Sequence, residues 1–342
     1  MRYRTFGKTG LKISELGFGG IPIIRLQTDE AIGVVKHAFE KGITFYDTAN
    51  AYKDSEYKMG KAFHGIRDGV VIATKTQKRD RVGMIEHLDN SLRNLQTDYI
   101  DLFQLHQVSQ NNDWDLLQGP DGALEATIKA KEQGKIRHIG VTSHSLPMAI
   151  KLIKTGIFET VQFPFNFIED AAKDELHIIA RQMDIGIIVM KPFAGGVIDN
   201  AALAFKFLRQ YPDLVVIPGY DSVESIDQIV ALYEHPNALT IEDMALMDQY
   251  RADLGRQFCR RCEYCQPCPS GVMITPAMGY RILAQRMSAS VAVDFGRKAM
   301  ETITQCTNCG LCTTRCPYEL PIPEILKKHY DLFTKHGGVI AT

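Results

Sequence analysis

Apolar positions along the first two thirds of the chain follow two alternating rhythms. Short, nearly continuous apolar runs predict buried strands at Glu15–Gly20, Thr44–Asp47, Val70–Lys75, Tyr99–His106, Ile136–Ser143, Thr160–Asn166, Ile185–Pro192 and Val215–Gly219. Between them, apolar residues recur at helical spacing, as in Ala31-Val34-Val35-Ala38-Phe39 and Ile85-Leu88-Leu92-Leu95. The helix carrying Ala149, Leu152 and Ile153 is stopped by Gly156. Strand–helix alternation predicts a parallel sheet, and eight units predict an α/β fold closed as a TIM (β/α)8 barrel. A doubly wound sheet is the competing fold, but no GxGxxG joins a first strand to a first helix. Ahead of the barrel, Arg2–Ile13 turns at Gly7-Lys8-Thr9-Gly10 and reads as a hairpin closing its floor. A helix at Ile241–Leu254 ends this body, giving domains at 1–254 and 255–342. In the second, Pro276–Met287 and Val291–Thr302 read as helices.

Length and composition agree with that division. A chain of 342 residues accommodates a barrel of ~250 residues and a smaller domain. A hydrophobic content of 45% and a net charge of −1 describe an ordinary soluble protein. They give no reason to expect nucleic acid or a membrane surface as partner. No apolar run approaches ~18 residues and the amino terminus lacks an apolar signal core, so a cytoplasmic location is expected.

The strand ends carry the chemistry. The second strand delivers Asp47 as its apolar run stops, with Tyr52 in the polar turn beyond. The third ends on Lys75 and the fourth on His106. Singly, each has a plain structural reading: a turn acceptor, a surface aromatic, a rim lysine, a hydrogen-bonded histidine. Four such groups converging on one barrel mouth point to a site. Reduction of a carbonyl needs a hydride on carbon and a proton on oxygen. A phenol of pKa ~10 serves as that acid near neutrality only beside a cation. Lys75 could supply the charge, Asp47 could hold the ammonium, and His106 could orient the carbonyl oxygen.

With Asp47, Tyr52, Lys75 and His106 in this order, the chain resembles the aldo-keto reductase superfamily from about Arg2 to Leu254. FYDTANAY, ATK, QLH, IRHIGVTS, VQFPFN and IPG fall in the family's sequence order. The resemblance implies an extended nicotinamide cofactor across the barrel mouth, NADP first with NAD as the alternative. It places Thr142, Ser143, Gln162 and Asn166 around the nicotinamide end and counts Gly20 and Asp47 among the cofactor-binding residues. The adenosine end falls to the segment after Ile217-Pro218-Gly219, with Ser225 and Gln228. Capping of strand-end backbone is the simpler role for Gln162 and Asn166. Three departures stand out. Met190-Lys191-Pro192 lies where relatives stack an aromatic ring on the nicotinamide. Ser225, Gln228 and Ile229 replace an arginine that grips the 2′-phosphate and a Glu-Asn pair that holds the adenine, which weakens the NADP preference. A substrate-covering loop is absent, leaving Ile21, Ile23, Tyr52, Trp114 and Phe193 as an apolar pocket set.

The eight cysteines all lie between Cys259 and Cys316. They read Cys259-x2-Cys262-x2-Cys265-x2-Cys268-Pro269 and Cys306-x2-Cys309-x2-Cys312-x3-Cys316-Pro317. The second run has bacterial ferredoxin spacing, and the first shortens its last gap by one residue. Paired CxxC units also make zinc sites, but three close cysteines followed by Cys-Pro favour iron–sulfur. The two-cluster ferredoxin rule assigns one 4Fe-4S cluster to Cys259, Cys262, Cys265 and Cys316, and the other to Cys306, Cys309, Cys312 and Cys268. This tail resembles the mainly helical ferredoxin extension of a subset of aldo-keto reductases.

The chain therefore reads as a nicotinamide-dependent oxidoreductase reducing an aldehyde, ketone or quinone, with two 4Fe-4S clusters appended. The competing reading is an iron–sulfur electron-transfer or redox-responsive protein whose barrel does not turn over. An external one-electron carrier is the partner the clusters would serve. No flavin motif is identified, although barrels often bind phosphate-bearing cofactors at the mouth and a flavin stays open on that ground.

Overall fold

A computed structural model of the chain describes residues 1–234, 238–255, 257–260, 263–316 and 318–338. It divides into two compact units, Met1–Leu239 and Thr240–Thr342. The helix expected at Ile241–Leu254 is present as Ile241–Gly255, but it groups with the second unit and not with the barrel.

The first unit opens with the expected hairpin, β1 (Tyr3–Thr5) against β2 (Lys12–Ser14). Eight parallel strands follow: β3 (Gly17–Gly19), β4 (Phe45–Asp47), β5 (Val71–Thr76), β6 (Ile100–Leu105), β7 (Ile136–Thr142), β8 (Thr160–Pro164), β9 (Gly186–Met190) and β10 (Leu214–Val216). They pair in sequence order, and parallel bridges Leu16–Val216 and Gly19–Gly219 bring the two edges together. Closure satisfies edge backbone groups that would otherwise be left unpaired. Each strand matches an expected one; β5 runs one residue further, to Thr76, and β10 starts one earlier, at Leu214. The connecting helices include α1 (Thr28–Glu40), α2 (Ser55–Ala62) and α3 (Arg81–Leu95). Asp80 caps α3 by accepting from the Gly83 N–H at 2.8 Å. After α4 (Asn111–Gln118), α5 (Ala123–Glu132) and α6 (Leu146–Ile153) come α7 (Leu176–Gln182), α8 (Ala201–Leu208) and α9 (Val223–Glu234).

The barrel interior is layered by the two-residue period of its strands. Its floor is apolar: Phe6 from the hairpin turn packs with Phe45, Ala73, Leu102, Ile188 and Val215. Moving two residues along the same strand faces leads from Phe45 to Asp47, from Ala73 to Lys75 and from Leu102 to Gln104. The polar layer therefore sits directly above an oily plug, at the carboxyl ends of the strands.

The second unit is helical, with α10 (Ile241–Gly255), α11 (Ile274–Met278), α12 (Tyr280–Arg286), α13 (Ala289–Glu301), α14 (Leu311–Thr314) and α15 (Ile322–Lys335). The single helix expected at Pro276–Met287 is broken at Gly279 into α11 and α12. Its core joins Val272, Ile274, Met278, Tyr280, Met300 and Phe333. Among the described residues, no helix of the chain is long and apolar enough to cross a membrane.

Candidate active site and cysteine cleft

Asp47 ends β4 opposite Ala73, and Lys75 stands two residues further along β5, from where its long side chain reaches the carboxylate. Lys75 Nζ donates to Asp47 Oδ1 at 2.6 Å and to the Thr48 carbonyl at 2.6 Å. Asp47 also accepts from Gln104 Nε2 at 3.2 Å and from the Gln162 side chain. Asp47 and Lys75 are buried. Burial alone raises the carboxyl and lowers the ammonium, and the close contact opposes both effects; Asp47 and Lys75 both end above their ordinary values. Donors converging from three side chains are the pattern of an ionised carboxylate. The pair is a fixed charge set into a wall of protein.

The segment beyond β4 continues along β5, with Thr48 N–H to Ala73 O at 2.8 Å and Asn50 N–H to Lys75 O at 3.1 Å. It then turns back, Tyr52 N–H reaching Ala49 O at 2.9 Å. This turn sets the half-buried Tyr52 ring 4.9 Å from Lys75 Nζ and edge-on to His106, with ring centroids 5.9 Å apart. Burial pushes the Tyr52 phenol up, while the Lys75 cation and hydrogen bond pull it back. His106, just after β6, is held well below its ordinary value by burial, with the Lys75 and Arg79 cations adding to the effect. It is therefore a neutral imidazole. Among the described residues its Nδ1 meets no hydrogen-bond partner. Arg79 braces this strand end, donating to the His106 carbonyl at 3.0 Å and the Gln107 carbonyl at 3.1 Å.

The remaining sequence-derived residues divide into two groups. Gln162 joins the cluster through Asp47, and its buried Oε1 has no partner among the described residues. Gly20 lies alongside: its N–H donates to Asp47 O at 2.8 Å, and an added Cβ would fall 2.5 Å from Met59 Cε. The others are committed to holding loops. Thr142 Oγ1 accepts from Gln107 N–H at 2.8 Å, and Ser143 Oγ accepts from Ser145 N–H at 3.1 Å. Asn166 spends its amide on Glu169 Oε2 and Lys191 O, both at 3.1 Å, and its Oδ1 on the Ile168 and Glu169 N–H groups. Met190 closes β9; Lys191 follows with φ +59° and Pro192 is buried. Gly219 is exposed beside Pro22, whose Cγ is 2.6 Å from where a Cβ would lie. Ser225 donates to Ser222 O at 2.7 Å at the start of α9, and Gln228 is exposed on that helix.

The apolar pocket set needs revision. Ile23 is fully buried, and Trp114 packs edge-on against Phe158 as part of the buried face of α4. Phe193 is half-buried against Phe205, leaving Ile21 as the exposed member at 40%. Three contributors escaped the sequence reading: Gln104, Thr48 and Arg79. Gln104 was accessible in principle, because it lies two residues before His106 and so on the same strand face. A neutral amide inside an apolar run gives no titration signal to notice.

In the second unit, Cys265, Cys268, Cys306, Cys309 and Cys312 line one cleft together with Val272, Thr307 and Leu311. They surround a space and do not converge on a point: among the described residues, no three His, Cys, Asp or Glu side chains could hold a single ion. The two runs are stitched together by Ser270–Thr307 (3.4 Å) and by Met273 N–H to Thr302 Oγ1 (3.0 Å). Elsewhere, Arg260, next to Cys259, stacks 3.8 Å over the ring of Tyr318. Cys259 and Cys316 both pack against the core of this unit. Cys262 lies outside the described residues.

Comparison with known proteins adds to this geometry. The profile of the aldo/keto reductase family matches residues 15–203, and that of a 4Fe-4S dicluster domain matches residues 258–321. The aldo-keto reductase YhdN of Bacillus subtilis is 32% identical over 218 residues, covering 58% of this chain and 64% of that one, a little under two thirds. A probable aldo-keto reductase 1 of Glycine max is 30% identical over 264 residues, covering 70% of this chain and 72% of the other. Among solved structures, an aldo-keto reductase from Klebsiella pneumoniae in complex with NADPH superposes with a TM-score of 0.60. It is 24% identical over 73% of this chain and 95% of its own, a likeness of fold.

Proposed function

This chain belongs to the aldo/keto reductase family and carries a 4Fe-4S domain, and on that premise we propose that its barrel reduces a carbonyl compound at the expense of NADPH. The observation that carries the reading is the buried Asp47–Lys75 pair with Tyr52 and His106 grouped around it. The orphaned, buried Oε1 of Gln162 beside this group suits a carboxamide donor, which a nicotinamide has. When bound, the reduced nicotinamide supplies a hydride to the carbonyl carbon.

The chain's residues govern the proton. The Tyr52 hydroxyl donates to the carbonyl oxygen as negative charge develops there, leaving a phenolate. The Lys75 ammonium stabilises that phenolate, and Asp47 keeps the ammonium charged and aimed. Gln104 and Gln162 hold the carboxylate in turn. His106, neutral, can offer an N–H to the same oxygen and fix its orientation without competing as an acid. Bulk water re-protonates Tyr52 after release. No arginine stands at the position where the family grips the 2′-phosphate, so Lys191, just past the end of β9, is the cation proposed to favour NADPH over NADH.

For the second unit, the cysteine cleft supports two 4Fe-4S clusters with crossed ligation. Cys268 shares the cleft with Cys306, Cys309 and Cys312, as crossed ligation requires; Cys265 lines the same cleft, although that ligation gives it to the other cluster. When bound, such clusters pass single electrons, so an external one-electron carrier is their natural partner. A cytoplasmic setting, where thiolates stay reduced, suits them. The test is anaerobic NADPH and NADH oxidation across aldehydes, ketones and quinones. Carbonyl-dependent oxidation supports the reading, and none with any of these classes overturns it.

A further inference from the structure

Lys58 lies on α2, the helix that follows the Tyr52 turn, with its side chain only 2% exposed. Burying an ammonium is costly unless its donors are met. Here all three are: Nζ reaches Ile23 O at 3.0 Å, Leu26 O at 2.8 Å and Asp54 Oδ2 at 2.9 Å. The two carbonyls belong to the short helical turn Pro22–Arg25 and its cap, where carbonyl partial charge favours a cation. One turn earlier on α2, Ser55 Oγ donates to Gly20 O at 2.9 Å and accepts from Thr48 Oγ1 at 2.9 Å. Thr48 is the residue whose carbonyl holds Lys75. Both ends of the Gly20–Leu26 loop are thus tied to the segment that carries Tyr52. Across the mouth, the same loop abuts Gly219 through Pro22, and Gly19 N–H bonds Pro218 O at 2.8 Å.

We infer that Lys58 is a positioning residue: with Ser55 it clasps the Gly20–Leu26 loop into a fixed wall of the nicotinamide pocket, keeping that wall in register with Tyr52. The inference rests on the nicotinamide reading of the barrel mouth. An apolar residue would fill the same space on α2 without the desolvation cost; what it would lack is a hold on the loop.

Lys58→Met keeps the stem and removes the three donors. Hydrogen exchange of the full, cluster-loaded chain should then quicken at amides 21 and 23–26, including Ile24 and Leu26, which bond Ile21 O and Ile23 O. If the loop becomes ordered only about a tenth of the time, the Kd for NADPH rises about tenfold, while kcat at saturating NADPH stays within about threefold. A merely destabilising change would instead speed exchange across α2 and the strands and lower kcat as well. Ser55→Ala should move both readouts the same way by less, and it carries the test if the first variant does not fold. Unchanged exchange at these amides overturns the clasp. Quicker exchange with unchanged NADPH affinity overturns its role in the pocket. A parent protein that binds neither NADPH nor NADH overturns the underlying reading, and the exchange data show separately whether the clasp is real.

Discussion

The barrel and the C-terminal unit both gather reactive side chains from distant parts of the chain, but they hold them differently. In the barrel, Lys75, Gln104 and Gln162, on β5, β6 and β8, all turn donors onto Asp47 at the end of β4. Packing beneath them by Phe45, Ala73 and Leu102 makes the arrangement rigid before any ligand arrives. In the C-terminal unit, the described cysteines lie on irregular segments except Cys312, which is in α14, and Cys306 and Cys309 are exposed. The barrel site is held by strands; the cysteine site is held largely by loops, which ligation would tie together.

That contrast can be broken most strongly at Tyr52. Tyr52→Phe keeps the ring against His106 and removes the proton. Carbonyl turnover should fall by about 100- to 10,000-fold with NADPH affinity and cluster spectra unchanged. Near-normal turnover would exclude Tyr52 as the acid. The pH dependence follows from the same group. Reduction needs the protonated phenol, which burial raises, so rates should hold through neutrality and decline only as alkaline pH deprotonates Tyr52.

The second unit should respond in the opposite way, losing structure with its ligands. Under crossed ligation, Cys316→Ala removes about half of the bound iron, and the surviving cluster is the one held by the Cys306 run. Loss of helical signal should accompany it, while the barrel's thermal transition stays in place. Loss of the cluster held by Cys306, Cys309 and Cys312 in that variant would refute the crossed assignment.

A smaller effect sharpens the picture of the barrel as self-sufficient. His177 is fully buried in α7 beside Phe165, and neither ring nitrogen has a partner among the described residues. Burial lowers its pKa to about 4. The folded state therefore takes up this proton later than the unfolded chain, whose imidazole titrates near ~6.5. Its neutral form is fully accommodated above that value, and stability is lost progressively as pH falls from ~6.5 toward 4, by about 3 kcal/mol. His177→Leu should flatten that part of the acid-unfolding profile, as read by calorimetry from pH 7 to 4. An unchanged profile would assign the acid sensitivity elsewhere.

How much of this was visible beforehand depends on the kind of signal. Eight strands and their order were legible because buried strands are apolar and helices periodic. Asp47, Lys75 and His106 stood out because each interrupts or ends an apolar run. Gln104 did not, since an uncharged amide within such a run looks like noise until the register brings it to Asp47. Trp114 read as a pocket residue for want of knowing which face of α4 packs inward on Phe158. The grouping of α10 with the second unit depends on contacts that no local pattern encodes. For Asn166 the simpler reading, a backbone cap, covers its bonds to Lys191 O and to the Ile168 and Glu169 N–H groups, but not the bond from its amide to the Glu169 carboxylate.

The central claim is that a prebuilt nicotinamide site and a cluster-bearing unit work in different currencies, hydride pairs and single electrons. Anaerobic titration of the cluster-loaded protein with NADPH and, separately, NADH tests it directly, following nicotinamide fluorescence and iron–sulfur absorbance together. The account predicts saturable binding of one nicotinamide per chain, tighter for NADPH, with cluster absorbance unchanged when no flavin is added. Absence of binding to either nucleotide would contradict the enzyme reading and favour an electron-transfer protein with a silent barrel, and rapid bleaching of the clusters would contradict the separation of the two sites.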